Sequence, residues 1–154
     1  MSDLSTAASP TGEAAAAPAG LPGPTAPAPA TREPAPTGPG STVGLDIGGT
    51  KVLATLLGPD GVARETLRLP TVRGPEGVVA SAARAVREVA RRAGVDLASL
   101  DGVGVGVPGL VDPDDGSVTH AVNLGIEGGR FPLAAVLSAE LGAPRNLAYR
   151  LAHE

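Results

Sequence analysis

A mixed α/β architecture is what this sequence predicts, and three observations carry the prediction. Three short apolar or alternating stretches follow one another at residues 43–47, 51–57 and 62–69, with glycine-containing breaks between them. A stretch with apolar residues at helical spacing comes next, bounded by Pro75 and Gly94. A run of alternating valine and glycine then leads through a loop into a second short helical pattern.

VGLDI at 43–47 and KVLATLL at 51–57 read as strands, and GPDG at 58–61 as a turn. In the third strand Ala63, Glu65, Leu67 and Leu69 share one face, and Val62, Arg64, Thr66 and Arg68 share the other. The three strands predict an antiparallel meander. Pro75 suits the first helical position and Gly94 the helix stop. Val78, Val79, Ala82, Val86, Ala90 and Ala93 recur on one helical face, while Arg84, Arg87, Glu88 and Arg91 form a solvated one. In DGVGVGVPG, residues 101–109, valines alternate with glycines, so one face is flat and open to close approach. Gly104, Gly106 and Gly109 have the GxGxxG spacing, but they lie within the strand and no helix opens after them, which excludes a dinucleotide fingerprint. DPDDG at 112–116 is a turn, and Pro132 leads into a helix with Leu133, Val136, Leu137 and Leu141 on one side and Gly142 after it.

Composition narrows the function. Residues 1–40 are Ala, Pro, Gly, Ser and Thr with almost no large apolar side chains, which predicts a disordered, partly polyproline II tail before a lobe at 41–154. The 154-residue chain has no cysteine, which excludes disulfides and a cysteine zinc site. Its net charge of −4, without a basic block, gives no support to nucleic-acid binding. No apolar run reaches the ~20 residues of a membrane helix, and Asp3 stands where a signal peptide would be positive. The expectation is a cytoplasmic protein without a membrane partner. Phe131 and Tyr149 are the only aromatics, so the core must be Val, Leu, Ile and Ala.

The chemistry-bearing stretch is VGLDIGGTK at 43–51. It is not a Walker A loop, which would read GxxxxGK[ST]. Gly48 and Gly49 allow close backbone approach, and their amides, the Thr50 hydroxyl and the Lys51 ammonium favour a phosphate. Asp46 suits a magnesium ion, directly or through water. A plain Gly-Gly hairpin turn behind a strand-end Asp fits the same residues. Asn123 taken alone is equally a local turn former.

VGLDIGGTK, then GPDG, then GVGVPGLVDP, then Asn123-Leu124-Gly125 and a helix ending in LGAP together resemble the ROK family (repressors, open reading frames and kinases) over residues 43–144. The nearest likeness is to its ATP-dependent glucokinase branch. The resemblance implies one lobe of an actin/hexokinase-like (ribonuclease H-like) ATPase fold, a mixed sheet with flanking helices. It implies that Asp46, Gly48, Gly49, Thr50 and Lys51 face ATP phosphates and Mg2+, that Pro108 and Gly109 lie beside the sugar, and that Asn123 hydrogen-bonds a sugar hydroxyl. ATP with Mg2+ and a small-molecule sugar are the implied ligands, and a homo-oligomer is compatible with the family. The implied reaction is in-line phosphoryl transfer to a hexose.

The chain departs from the family after residue 144. There the family carries a strand and then Glu-Asn-Asp-x-Asn, whose Asp is the base. Here RNLAYRLAHE follows, helix-like, and no Asp occurs after Asp115. Asn146, His153, His120 and Glu154 are no substitutes. The expected identity is the N-terminal lobe of a sugar kinase, truncated or frameshifted near residue 145 and inactive alone, with Val103, Val105 and Val107 left exposed. The alternatives are a ROK-type repressor, against which the Pro/Gly-rich residues 1–40 argue, and a non-catalytic sugar- or nucleotide-binding module.

Overall fold

The computed structural model describes residues 40–142 and the backbone of residues 148–153. The expected tail up to residue 39 lies outside the described residues, as do Asn146 and Glu154.

The predicted meander forms as β1 (Ser41–Ile47), β2 (Lys51–Leu57) and β3 (Ala63–Pro70). Its pairing places apolar residues opposite one another: Val43 on Leu56, Leu45 on Ala54, Ile47 on Val52, and Ala54 on Leu67. Because side chains alternate along a strand, this register puts every one of them on a single face. β4 (Leu100–Val107) runs parallel to β1, with Val103 beside Val43 and Val105 beside Leu45, so the same face continues across the sheet. The order is β3-β2-β1-β4-β7, with β7 (Ala148–His153) parallel to β4.

That last strand corrects the helix-like reading of NLAYRLAHE. The outer edge of β4 presents a row of unpaired backbone donors and acceptors, and pairing from Gly102–Ala148 to Val107–His153 satisfies them. Local spacing carries no information about that edge. The exposure expected at Val103, Val105 and Val107 is also overturned, since they are 1%, 2% and 0% exposed. The valines point to the helix-covered face; the glycines between them take the other one.

α1 (Pro75–Ala93) covers that apolar face and packs against β2 and β3. Pro at the first turn and the left-handed Gly94 (φ 70°) bound it as expected. Its buried arc is wider than the single stripe read from sequence, adding Ser81, Ala83, Ala85 and Val89. The reason is α2 (Leu133–Leu141), which packs on a second side of α1 and makes an ion pair, Glu140 with Arg87 at 3.2 Å. Leu133, Leu137 and Leu141 of α2 are buried, whereas Val136 is 37% exposed and faces away, a correction to the four-residue stripe. Each fully buried Val, Leu or Ile contributes about 1.5–3 kcal/mol relative to exposure. Among the described residues no helix is long and apolar enough to cross a membrane.

On the outer side of α1, Glu88 accepts hydrogen bonds from Arg91 at 2.8 and 2.9 Å and from Arg92 at 2.8 Å. The Arg91 bonds, then those of Arg92, lower its carboxyl from 4.5 to about 2. A depressed folded-state value means the stabilising contribution is complete above the unfolded value of 4.5 and disappears as pH falls through about 2. Carbon-detected NMR titration of the Glu88 carboxyl is expected to show a midpoint near 2, and a midpoint near 4.5 would refute the Arg91–Arg92 clamp.

Candidate functional site

Three segments meet at the carboxyl ends of the parallel strands β1 and β4, where open α/β sheets commonly hold ligands. The first is the turn between β1 and β2. The Gly48 amide donates to the Lys51 carbonyl at 2.8 Å, leaving Gly49 and Thr50 as a two-residue tip. Neither Gly48 nor Gly49 has a positive φ, so this is not the mirror-image turn that a Gly-Gly hairpin would adopt. Glycine is required at 49 for another reason: a Cβ there would lie 2.8 Å from the carbonyl oxygen of Asn123.

The second segment, Thr71 to Gly74, joins β3 to α1. The Thr71 hydroxyl donates to the Gly48 carbonyl at 2.8 Å and its amide to the Thr50 carbonyl at 3.0 Å, which fixes the tip from below. The third is a single 3-10 turn, Val122–Leu124, closed by left-handed Gly125 (φ 74°). It is held to the second segment by the Gly74 amide on the Leu124 carbonyl at 2.7 Å and by Arg73 Nη2 on the Val122 carbonyl at 3.1 Å. His120 takes a left-handed φ of 55° just before it. Gly49, Thr50, Arg73 and Asn123 then line one cleft of about 380 Å³.

The fold therefore brings Gly49 and Thr50 together with Asn123, which is far from them in sequence. It does not bring all the other candidates to the cleft wall. Gly48 lies behind the tip, bonded to Lys51 and Thr71. Asp46 is exposed and pairs with Leu53 on one side and Gly106 on the other, on the sheet face opposite α1. Lys51 begins β2 and is exposed, without a carboxylate partner among the described residues. Gly109 (φ 141°) does not line the cleft; a Cβ there would meet the Thr119 carbonyl at 2.8 Å, so it serves the packing of the strand end against the following hairpin. Among the described residues no group of three or more His, Cys, Asp or Glu could enclose a metal. Magnesium is ordinarily held by one or two carboxylates with phosphate and water oxygens, so it needs no such group.

Sequence reading missed Thr71 and Arg73. The available signal was slight: a polar TVRG between a strand and the helix-opening Pro75. A second cleft, of about 390 Å³, lies beside the hairpin of β5 (Leu110–Val111) and β6 (Val118–Thr119). Its Arg130 is bound by Asp112 and Asp115, both at 2.7 Å, and by the Ser117 hydroxyl at 3.0 Å. Hydrogen bonds from Ser117, then Arg130, hold the Asp115 carboxyl below its usual range.

A model of the ROK family matches residues 42–149. The chain is 34% identical over 105 residues to a glucokinase of Streptomyces coelicolor, a match covering 68% of this chain and 31% of that enzyme. It is similar to the structure of a ROK family glucokinase from Streptomyces griseus in complex with glucose and AMPPNP, with 29% identity, a TM-score of 0.62, and coverage of 74% of this chain and 33% of that one. It also shares its fold with a ROK family transcriptional regulator, a homologue of the E. coli MLC protein, at 16% identity and a TM-score of 0.59, over 73% of this chain and 27% of the regulator. The chain thus spans about a third of the length of the glucokinases it matches.

Proposed function

The chain belongs to the ROK family, and from that premise we propose that it is the phosphate- and sugar-binding lobe of a hexose kinase of the glucokinase type. Its mixed sheet with flanking helices is the actin/hexokinase-like fold of its structural neighbours, over about a third of their length. In this reading residues 41–154 are the lobe and residues 1–40 a tail outside it. The observation that carries the reading is the convergence of Gly49 and Thr50 with Asn123 on one cleft.

The division of labour follows from side-chain chemistry. The amides of Gly49 and Thr50 and the Thr50 hydroxyl would hold the phosphates of ATP, and Lys51 would add charge at the same turn. Asp46 would hold Mg2+ through oxygen, and the ion would neutralise phosphate charge. The Asn123 carboxamide, both donor and acceptor, would orient a sugar hydroxyl. The four residues lining the cleft include no carboxylate, so they supply no base for that hydroxyl. Identity to glucokinases at 34% favours a kinase over a regulator, which shares the fold at 16%.

The test is residue-resolved. In ¹⁵N NMR of the 154-residue chain, glucose is expected to shift the Asn123 carboxamide and AMPPNP with Mg2+ the amides of Gly49 and Thr50. A coupled ADP assay is expected to show no hexose-dependent turnover by this chain alone. Shifts confined to the cleft around Arg130 would sink the site assignment, and glucose-dependent turnover would sink the claim of inactivity.

A further inference from the structure

Arg73 is a charge at this cleft for which the loop motif has no place. Arg73 lines the wall with Gly49, Thr50 and Asn123, and among the described residues its guanidinium is engaged through Nη2, on the Val122 carbonyl at 3.1 Å. No carboxylate among the described residues pairs with it. The contrast with Arg130 is instructive. That arginine also lines a cleft, but two aspartates neutralise it at 2.7 Å each. The same cleft holds a second excess of donors: the amides of Gly49 and Thr50 donate to no carbonyl among the described residues. A guanidinium fork, a hydroxyl and two amides, without an acid to balance them, fit oxyanion chemistry.

We propose that Arg73 is the anion contact at the junction of the phosphate loop and the sugar contact, taking the oxygens of a phosphoryl group that lies between them. The proposal rests on reading Gly49–Thr50 as the phosphate turn and Asn123 as the sugar contact. Position explains the role: Arg73 lines the same cleft as the two, where donor and acceptor must meet. Its bond to Val122, the neighbour of Asn123, also aims the fork, since it fixes one edge and, among the described residues, leaves Nη1 and Nε for the ligand.

The experiment separates charge from scaffolding. The full chain and three variants, Arg73→Gln, Arg73→Lys and Arg73→Ala, are titrated with inorganic phosphate and, separately, with glucose. Chemical shifts of Arg73 Nε, the Gly49 and Thr50 amides and the Asn123 carboxamide are followed. Phosphate is expected to shift Arg73 Nε and both amides in the wild-type chain. Arg73→Gln keeps an N–H donor for the Val122 carbonyl but no charge; it is expected to weaken phosphate binding about tenfold or more, as loss of one charge-assisted contact does, and to leave the glucose response at Asn123 unchanged. Arg73→Lys is expected to retain part of the phosphate affinity, and Arg73→Ala to resemble the glutamine variant toward phosphate. Equal phosphate affinity in wild type and Arg73→Gln would overturn the proposal. Parallel loss of the phosphate and glucose responses in Arg73→Gln would overturn it too, because Arg73 would then only hold the turn. A wild-type chain that binds phosphate at Arg73 yet shows no glucose response at Asn123 would uphold the anion contact while defeating the sugar assignment.

Discussion

Gly109→Ala is expected to lower folding stability by about 3 kcal/mol, because two separate penalties fall on one methyl group. Gly109 has φ 141°, a conformation that side-chain-bearing residues rarely adopt. Its Cβ would also lie 2.8 Å from the Thr119 carbonyl and 3.1 Å from the Ala121 Cβ. The carbonyl is backbone and has no rotamer into which to escape. Two glycines of the following loop isolate the terms. Gly128 (φ 92°) would have nothing among the described residues within 4 Å of a Cβ, so Gly128→Ala carries the conformational penalty alone, about 1 kcal/mol. Gly129 has neither an unfavourable φ nor a neighbour within 4 Å, so Gly129→Ala is expected to be close to neutral. Urea unfolding midpoints of the three variants test the ordering. Gly109→Ala matching Gly128→Ala would remove the packing role assigned to Gly109.

Gly49→Ala supplies the complementary case, contact without strain. With φ in the ordinary range, its whole effect comes from a Cβ 2.8 Å from the Asn123 carbonyl oxygen. About 2 kcal/mol of stability is expected to be lost. The functional loss should be larger than that figure suggests. To relieve the contact the Val122–Leu124 turn must move, yet Gly74 and Arg73 hold it at 2.7 and 3.1 Å. Asn123 and the Thr50 tip therefore separate, and the responses to glucose and to phosphate should fall together. A Gly49→Ala chain with wild-type stability and both responses intact would show that the close approach is not what the site depends on.

These glycines mark where local pattern stops being informative. Gly48 and Gly49 are visible in the sequence as a pair made for a turn, and a two-residue tip does form there, but neither glycine takes the positive φ of a mirror-image turn. Gly49 is small because a turn 74 residues later in the chain passes against it. Gly109 fits the family pattern beside the sugar, yet it lies against Thr119 and Ala121 rather than on the cleft wall. Thr71 and Arg73 were invisible as site residues, since a short polar link between a strand and a helix looks the same whatever it touches.

What the sequence by itself determined was everything governed by short-range periodicity and backbone chemistry. The alternation in β1 to β3, the valine–glycine alternation of β4, the proline start and glycine stop of α1, and the core-facing leucines of α2 depend on side-chain direction along one element. The ordered motifs, from VGLDIGGTK to LGAP, also carry the family. Only the tertiary structure decided what depends on neighbours distant in sequence. It set Ala148–His153 as a strand, because the free edge of β4 offered hydrogen bonds that no helix there could satisfy. It buried Val103, Val105 and Val107 by turning them to the sheet face that carries the core, and it widened the buried arc of α1 because α2 packs on its second side. It also gathered Gly49, Thr50, Arg73 and Asn123 around one cleft, since β1, β3 and β4 run in the same direction through the mixed sheet and the loops that follow them leave at one end.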